Sequence, residues 1–322
     1  MSTIPTPSST PYTVIGNSPV KQNTADHLSE ITLIVLSQGS RFQRIEYFEK
    51  LSRMGWAEII SVENQNPSYD VETLTSRIPG MRCMVFHEED SSSGEKLNMA
   101  IRESLTSLSL VIWSTMMPLS ISPRQIEEMC GYKHAVVTIP LLRTMKGEIF
   151  PSIIVPAHYQ QGLKTLWVPP GGENKRSLFP FQYTGLYRKD LFLSLMGFDP
   201  EITSAYWQKM DFGLRAYLWG MGMPVCLGLR IQLQQDPEPE DSSPHRGSLR
   251  FYLKNLAVDY HHDHGTLEWK VFLDFYRRSG LGLLGALKLF KQVRHWVVTH
   301  GFRYTSDARR LVELWDEDGL PE

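Results

Sequence analysis

An α/β fold built on a doubly wound sheet is what this sequence predicts, and three observations predict it. Four short β-prone runs, ITLIVL (31–36), AEIISV (57–62), MRCMVF (81–86) and SLVIW (109–113), lack the polar alternation of a half-solvated strand. Helical stretches separate them at the spacing of βαβ units. The chain has 322 residues, long enough to bury a large core in one domain or two modest ones. In such sheets ligands bind beyond the carboxyl ends of the strands. Residues 37–40, 63–66, 86–94 and 114–118 are therefore the ones to watch.

Each element has its own signal. SQGSRFQR after the first run supplies a Gly-bearing turn and a helix start, and Ile45, Phe48 and Leu51 mark that helix's apolar stripe. Residues 71–78 read as a short helix and 94–107 as a longer one. PRQIEEMCGY (123–132) is a further helix, followed by β-prone runs at 135–142 and 149–155. PPGGENKRS (169–177) reads as a Gly/Pro-rich loop, and 223–233 as a closing strand.

This pattern divides the chain into a Ser/Thr/Pro-rich disordered lead (1–30), an α/β domain (31–235), a linker DPEPEDSSPHRG (236–247) and a helical region (248–322). In the last region Leu249, Tyr252, Leu253, Leu256 and Tyr260 mark one helical face, and 267–278, 281–298 and 307–314 are further amphipathic segments.

Composition excludes several classes. The 33 Lys and Arg against 35 Asp and Glu, net −2, offer no bulk attraction to nucleic acid. Cys83, Cys130 and Cys226 are three in number and lack CxxC spacing, so they form no zinc pattern and fit a reducing compartment. The N-terminus has no basic start or apolar stretch of a secretory signal, and no apolar run reaches the ~20 residues of a membrane span. The expectation is a soluble, cytoplasmic protein. Lys288, Lys291, Arg294 and Arg303, interleaved with Leu287, Leu289, Phe290 and Trp296, leave two readings open: peripheral contact with the inner face of a membrane, or packing against the α/β domain.

The segment 183–222, YTGLYRKDLFLSLMGFDPEITSAYWQKMDFGLRAYLWGMG, is the most specific in the chain. Gly185 and Arg188 in a strand, a helix, Gly197-Phe198-Asp199, Trp207, then Asp211 and Arg215 in a second helix resemble the acceptor-side cassette of the family-2 glycosyltransferases. The resemblance covers about 31–233 and implies a GT-A-like, Rossmann-like mixed sheet. It further implies a nucleotide-sugar donor, a glycan or glycolipid acceptor, and transfer with inversion. By the same resemblance Ser37, Glu63, Asn64, Gly94, Asn98 and Ser114 bind the nucleotide. Trp207, Arg188 and Gly185 meet the acceptor, and Asp211 is the catalytic base.

Two positions depart from the family pattern. Ser114, Thr115 and Met116 stand where the family carries Asp-x-Asp, its Mg²⁺ or Mn²⁺ motif, and Gln208 and Lys209 replace its acidic pair. Hydroxyls and a thioether are poor ligands for a hard cation. A metal-independent enzyme and a catalytically degenerate fold that only binds a partner or sugar both follow from this.

Several residues keep two readings. Asp211 is a base or a helix N-cap, Asp199 a ligand or a turn-former, and Trp207 an acceptor platform or a core residue. Glu88, Glu89 and Asp90 are substitute metal ligands or a solvated run. Lys175 and Arg176 are diphosphate contacts or an exposed basic loop. His261 and His264, at i, i+3 on a helix, form a metal pair, or YHHDHG is a helix C-terminus capped by Gly265.

Overall fold

The computed structural model describes residues 10–16, 27–38, 44–64, 71–88, 90–119, 121, 123–159, 162–171 and 176–315. The chain enters through an edge strand, β1 (Tyr12–Ile15), inside the stretch expected to be disordered. YTVI is β-prone, and it is ordered by pairing antiparallel with a strand some 70 residues later, where Tyr12 lies opposite Phe86 and their rings sit 5.4 Å apart. A long-range partner of this kind leaves no local signal.

The expected βαβ core follows. β2 (Ile31–Leu36), α1 (Arg44–Ser52), β3 (Glu58–Asn64), α2 (Val71–Arg77), β4 (Met81–Phe86), α3 (Ser93–Glu103) and β5 (Leu108–Trp113) appear in that order. β2 is buried at every position, which accounts for its unbroken apolar sequence. It pairs in parallel with β3 on one side and β5 on the other. The next elements are β6 (Met116–Pro118), α4 (Pro123–Gly131), β7 (Val137–Arg143), a hairpin of β8 (Ile153–Tyr159) and β9 (Gly162–Val168), β10 (Gly185–Arg188) and α5 (Lys189–Ser194). α6 (Ala205–Leu218) and β11 (Val225–Leu233) complete the sheet. Its order is β1-β4-β3-β2-β5-β10-β7-β11-β6, with β10 antiparallel to both neighbours.

The two edges of the sheet differ. At the amino edge Glu58 accepts from Arg82 Nη2 (2.6 Å), the Thr32 hydroxyl (2.9 Å) and the Leu105 amide (2.5 Å), so that edge is closed by a buried polar knot. The carboxyl edge is left for other work. Cys83 and Cys226 are buried and unpaired, and burial pushes the Cys83 thiol up to about 12.

After β11 the chain runs through α7 (Arg246–Phe251), a π-turn (Tyr252–Leu256), a hairpin of β12 (Asp259–His261) and β13 (His264–Thr266), then α8 (Val271–Ser279), α9 (Leu283–His300) and α10 (Ala308–Glu313). These elements share one continuous core with the sheet through Phe251, Leu253, Phe290, Val293 and Val297. The expected helix through His261 and His264 is corrected here. The two histidines face each other across a tight turn whose central residues, His262 and Asp263, both take positive φ (51° and 57°). Two non-glycine residues at positive φ hide a hairpin turn from sequence reading. Gly265, expected as a helix cap, is instead in β13 under the Tyr304 ring.

Candidate functional site

β2 has β3 on one flank and β5 on the other, so the strand order reverses at the β2–β5 junction. This is where a crevice opens in wound sheets. The backbone there is tightly specified: Ser114 N donates to Leu36 O (2.9 Å), Ser37 N to Val62 O (3.0 Å) and Gln38 N to Ser114 Oγ (3.0 Å). Beside it lies a small open depression lined by the polar Gln38, Thr115, Gln182, Gln235 and Glu238 and by Met116, Leu233 and Pro237. Its far wall is strained: Gln182 and Tyr183 both hold positive φ (44° and 61°), and Trp113 Nε1 donates to Gln182 O (2.7 Å). Non-glycine residues at such angles persist only where surrounding contacts over-determine them. Sequence reading anticipated Ser37, Gln38 and Ser114 here, all at strand ends to watch, but missed Gln182.

At the end of β3 the two nucleotide candidates diverge. Glu63 is buried, ion-paired with Arg44 and accepting from the Ser61 hydroxyl, while its Oε2 has no partner among the described residues. Asn64 is exposed, and its Oδ1 accepts from Lys96 Nζ (2.5 Å).

Gly94 and Asn98 pack against protein. α3 starts with a capping box between Ser92 and Glu95, and a Cβ at Gly94 would fall 2.9 Å from Phe198 Cβ and closer still to Gln208 Oε1. The expected close approach of Gly94 is therefore to α6 and the Gly197-Phe198-Asp199 turn. Asn98 grips the same turn, with Nδ2 donating to Phe198 O (2.8 Å) and Oδ1 accepting from Phe198 N (2.8 Å). Asn98→Ala leaves both backbone groups buried without partners. It is expected to lower stability by about 2–4 kcal/mol, read as a reduced urea midpoint at unchanged slope.

Asp211 is neither at an open cleft nor at a helix start. It is 0 % exposed and lies in the middle of α6, whose N-cap is Ser204. Arg215 Nη2 (2.9 Å), Lys254 Nζ (3.0 Å) and Asn255 Nδ2 (2.8 Å) all donate to it. Asp199 shares the same cation: Lys254 Nζ (2.6 Å) and Arg250 Nε (2.8 Å) reach its Oδ2, while Oδ1 accepts from Glu201 N (3.0 Å) as a turn-former does. The π-turn aims consecutive residues Lys254 and Asn255 at one carboxylate, and the Lys254 ammonium sits 4.3 Å from the Trp296 ring centre.

Burial pushes both carboxyls upward, but Lys254 with Arg250 at Asp199, and Lys254 with Arg215 at Asp211, outweigh it and hold both below the ordinary range. A proton acceptor must reach its substrate and have a pKa near the working pH, and Asp211 meets neither requirement. In this arrangement Asp211 joins the cassette to the segment after β11.

The neighbouring Lys209 is equally buried and pairs with Glu240, a residue of the expected linker. Burial lowers the Lys209 ammonium pKa, against the pull of Glu240. The linker is thus a strap across the cassette. Gln234 N donates to Thr115 O (2.7 Å), Gln182 N to Glu240 Oε1 (3.3 Å) and Trp207 Nε1 to Ser243 O (2.8 Å). Trp207 lies between Tyr206 and Phe251, 5.1 and 5.4 Å away, beneath that strap. A carboxylate therefore does stand beside Lys209, supplied from 31 residues downstream. The signal that could have found it is the cation itself, because a lysine inside an apolar helix needs a counter-charge.

The two remaining acceptor candidates lie elsewhere. Gly185 is inside the sheet, where a Cβ would meet Val137 Cγ1 at 2.5 Å. Arg188 pairs in register with Leu108, at the amino end of β5, and donates to Tyr132 O (3.1 Å) and Lys133 O (3.2 Å). Because β10 runs antiparallel to β5, Arg188 is carried to the edge opposite the crevice.

No group of three or more His, Cys, Asp or Glu side chains converges to hold a metal among the described residues. His261 is exposed and His264 packs on Gly301. Glu88 and Asp90 are solvated, whereas Glu89 and Lys175 lie outside the described residues. Arg176 is buried, its guanidinium 4.3 Å from the Trp315 ring centre. The Ser114, Thr115 and Met116 donors at the tip of β5 do not fit a hard divalent cation.

No protein-family profile matches this sequence, and no curated protein matches it. Solved structures do. GalNAc-T7, crystallised with UDP, GalNAc and Mn²⁺, superposes with a TM-score of 0.57 at 13 % identity over 84 % of this chain. The chain spans 57 % of that structure's length. S. aureus TarS 1-349 in complex with UDP-GlcNAc gives a TM-score of 0.46 at 14 % identity, covering 83 % of this chain and 72 % of that one. The fold is a GT-A-like mixed α/β sheet, as the resemblance implied.

Proposed function

We propose, from a chain that folds as GT-A-type glycosyltransferases do, that it binds a nucleoside-diphosphate sugar at the β2–β5 junction and transfers the sugar to a hydroxyl of a glycan or glycolipid. The observation that carries this reading is the junction itself: Ser37, Gln38, Ser114 and Thr115 meet at the reversal of strand order, beside an open depression rimmed by polar side chains. Glu63 Oε2, buried without a partner among the described residues, is an acceptor for a base N–H or a ribose hydroxyl. GalNAc-T7 and TarS, which share this architecture, were solved with UDP and UDP-GlcNAc. The diphosphate is held here without a metal bridge of the Asp-x-Asp kind, since the donors at that position are two hydroxyls and a thioether. Transfer with inversion is the course the resemblance implies, and the product anomer reads it.

Calorimetry with uridine and guanosine diphosphates, with and without Mn²⁺ or Mg²⁺, tests this. One of the nucleotides is expected to bind equally well in the presence of a chelator, and Ser114→Phe, which fills the junction, is expected to weaken that binding at least about tenfold. Absence of binding to any nucleotide, with or without metal, overturns the proposal.

A second reading has its own support. Asp211 is locked in ion pairs and Lys209 is covered by Glu240, so neither of these two cassette positions offers a free base; a non-catalytic binding module accounts for both. Nucleotide binding without turnover of UDP-sugars, across acceptors, selects it.

A further inference from the structure

Of the two readings of the stripe around α9, membrane contact or packing against the α/β domain, its apolar residues take the second. Phe290 is buried and Leu287, Leu289 and Trp296 are partly buried, so that stripe packs inward. The most exposed large apolar residue among those described, Leu284, lies at the tip of the α8–α9 hairpin, SGLGLLG (279–285), beside Leu283, while Val298 and Phe302 are exposed at the far end of α9. Leu284 is 83 % exposed and Leu283 54 %. Nothing lies within 4 Å of a Cβ placed at Gly280 or Gly282, so the tip projects into open space. Leu273, on the outer side of α8, is also exposed.

Charge says what this tip meets. Between 267 and 303 the chain carries seven Lys and Arg against two carboxylates, Glu268 and Asp274, in a protein whose net charge is −2. Arg277, Lys288 and Lys291 flank the two leucines, are exposed, and have no carboxylate partner among the described residues. Uncompensated cations bracketing protruding leucines match an anionic headgroup layer above an acyl interior. They do not match a second copy of this tip, which would bring like charges together. No helix among the described residues is long and apolar enough to cross a membrane, so the contact is a surface one.

We propose that the α8–α9 tip docks the protein on an anionic lipid surface, with Leu283 and Leu284 entering the acyl boundary and Arg277, Lys288 and Lys291 contacting headgroups. The docking is independent of nucleotide binding at the sheet edge. Co-sedimentation with phosphatidylcholine vesicles, with and without phosphatidylglycerol, tests it on the full chain. Binding is expected only to the phosphatidylglycerol vesicles, weakening as salt is raised. Leu283→Glu/Leu284→Glu, at exposed positions where circular dichroism can confirm an intact fold, is expected to reduce it at least about a hundredfold. Lys288→Glu/Lys291→Glu is expected to reduce it about tenfold or more. Equal binding to both vesicles, no binding to either, or undiminished binding of the leucine variant overturns the proposal. So does a concentration-dependent dimer that the leucine variant dissolves while vesicles bind neither form.

Discussion

Asp211→Asn lowers the stability of the protein by about 3–5 kcal/mol, because it leaves Lys254 and Arg215 buried with one carboxylate charge too few. That is a large share of the roughly 5–15 kcal/mol that holds a domain folded. The urea midpoint falls while the slope stays constant, and a variant as stable as the parent sinks this account. The result also separates two roles: a catalytic base replaced by its amide leaves a folded, inactive protein, whereas a structural carboxylate leaves a poorly folded one.

The pH dependence has a definite sign. Asp199 and Asp211 have folded-state pKa values held below the ordinary carboxylate value of about 3.9. Their contribution is therefore complete above that value and is lost as pH falls through it towards the folded-state values. Acid unfolding followed by fluorescence is expected to be steep in that window. In Asp211→Asn the acid-sensitive part contributed by this group disappears.

Glu240→Ala is expected to release the strap. The change strands Lys209 inside an aromatic pocket, with the Tyr183 and Phe179 ring centres 5.1 and 5.7 Å from its ammonium. Breaking a buried pair by removing one partner costs about 3–5 kcal/mol. Two readouts apply: a lower urea midpoint, and faster proteolytic cleavage within 234–245, where Glu240 and Ser243 make the anchoring contacts. Replacing both charges, Lys209→Met with Glu240→Met, is expected to recover most of the lost stability, since removing a whole pair spares the penalty of an orphaned charge. If the single and double variants unfold alike, the pair is not the anchor. Under the proposed function the released strap also uncovers Trp207, and calorimetry on Glu240→Ala then reads whether the cleft gains access to ligand.

Much of the scaffold was legible because its cause is local. Residues 31–113 carry unbroken apolar strands and striped helices, and those patterns depend only on which faces are covered. The junction residues Ser37 and Ser114 were legible for the same reason, since they follow strands whose ends could be located. The cassette's Gly197-Phe198-Asp199 and Asp211 were visible as a pattern, yet their role was not. Asp211 finds its partners in Lys254 and Asn255, 43 and 44 residues away, and Asp199 reaches Arg250 and Lys254 across 51 and 55. Nothing in the local composition of a helix reveals which charge will be folded against it.

Chain direction and backbone sign hid the rest. Arg188 was placed correctly on a strand, but only pairing of β10 antiparallel to β5 decides which edge it reaches. The His261–His264 hairpin turns on two residues at positive φ, which composition does not mark. By itself, then, the sequence determined the wound sheet, the strand ends at its carboxyl edge and the neutral side chains of Ser114, Thr115 and Met116 there. Only the tertiary structure decided that Asp211 is sealed, that Glu240 returns to meet Lys209, and that Leu283 and Leu284 face outward. The reason is physical: burial of apolar surface is written residue by residue along the chain, whereas a buried charge is settled only by whichever distant group is brought close enough to answer it.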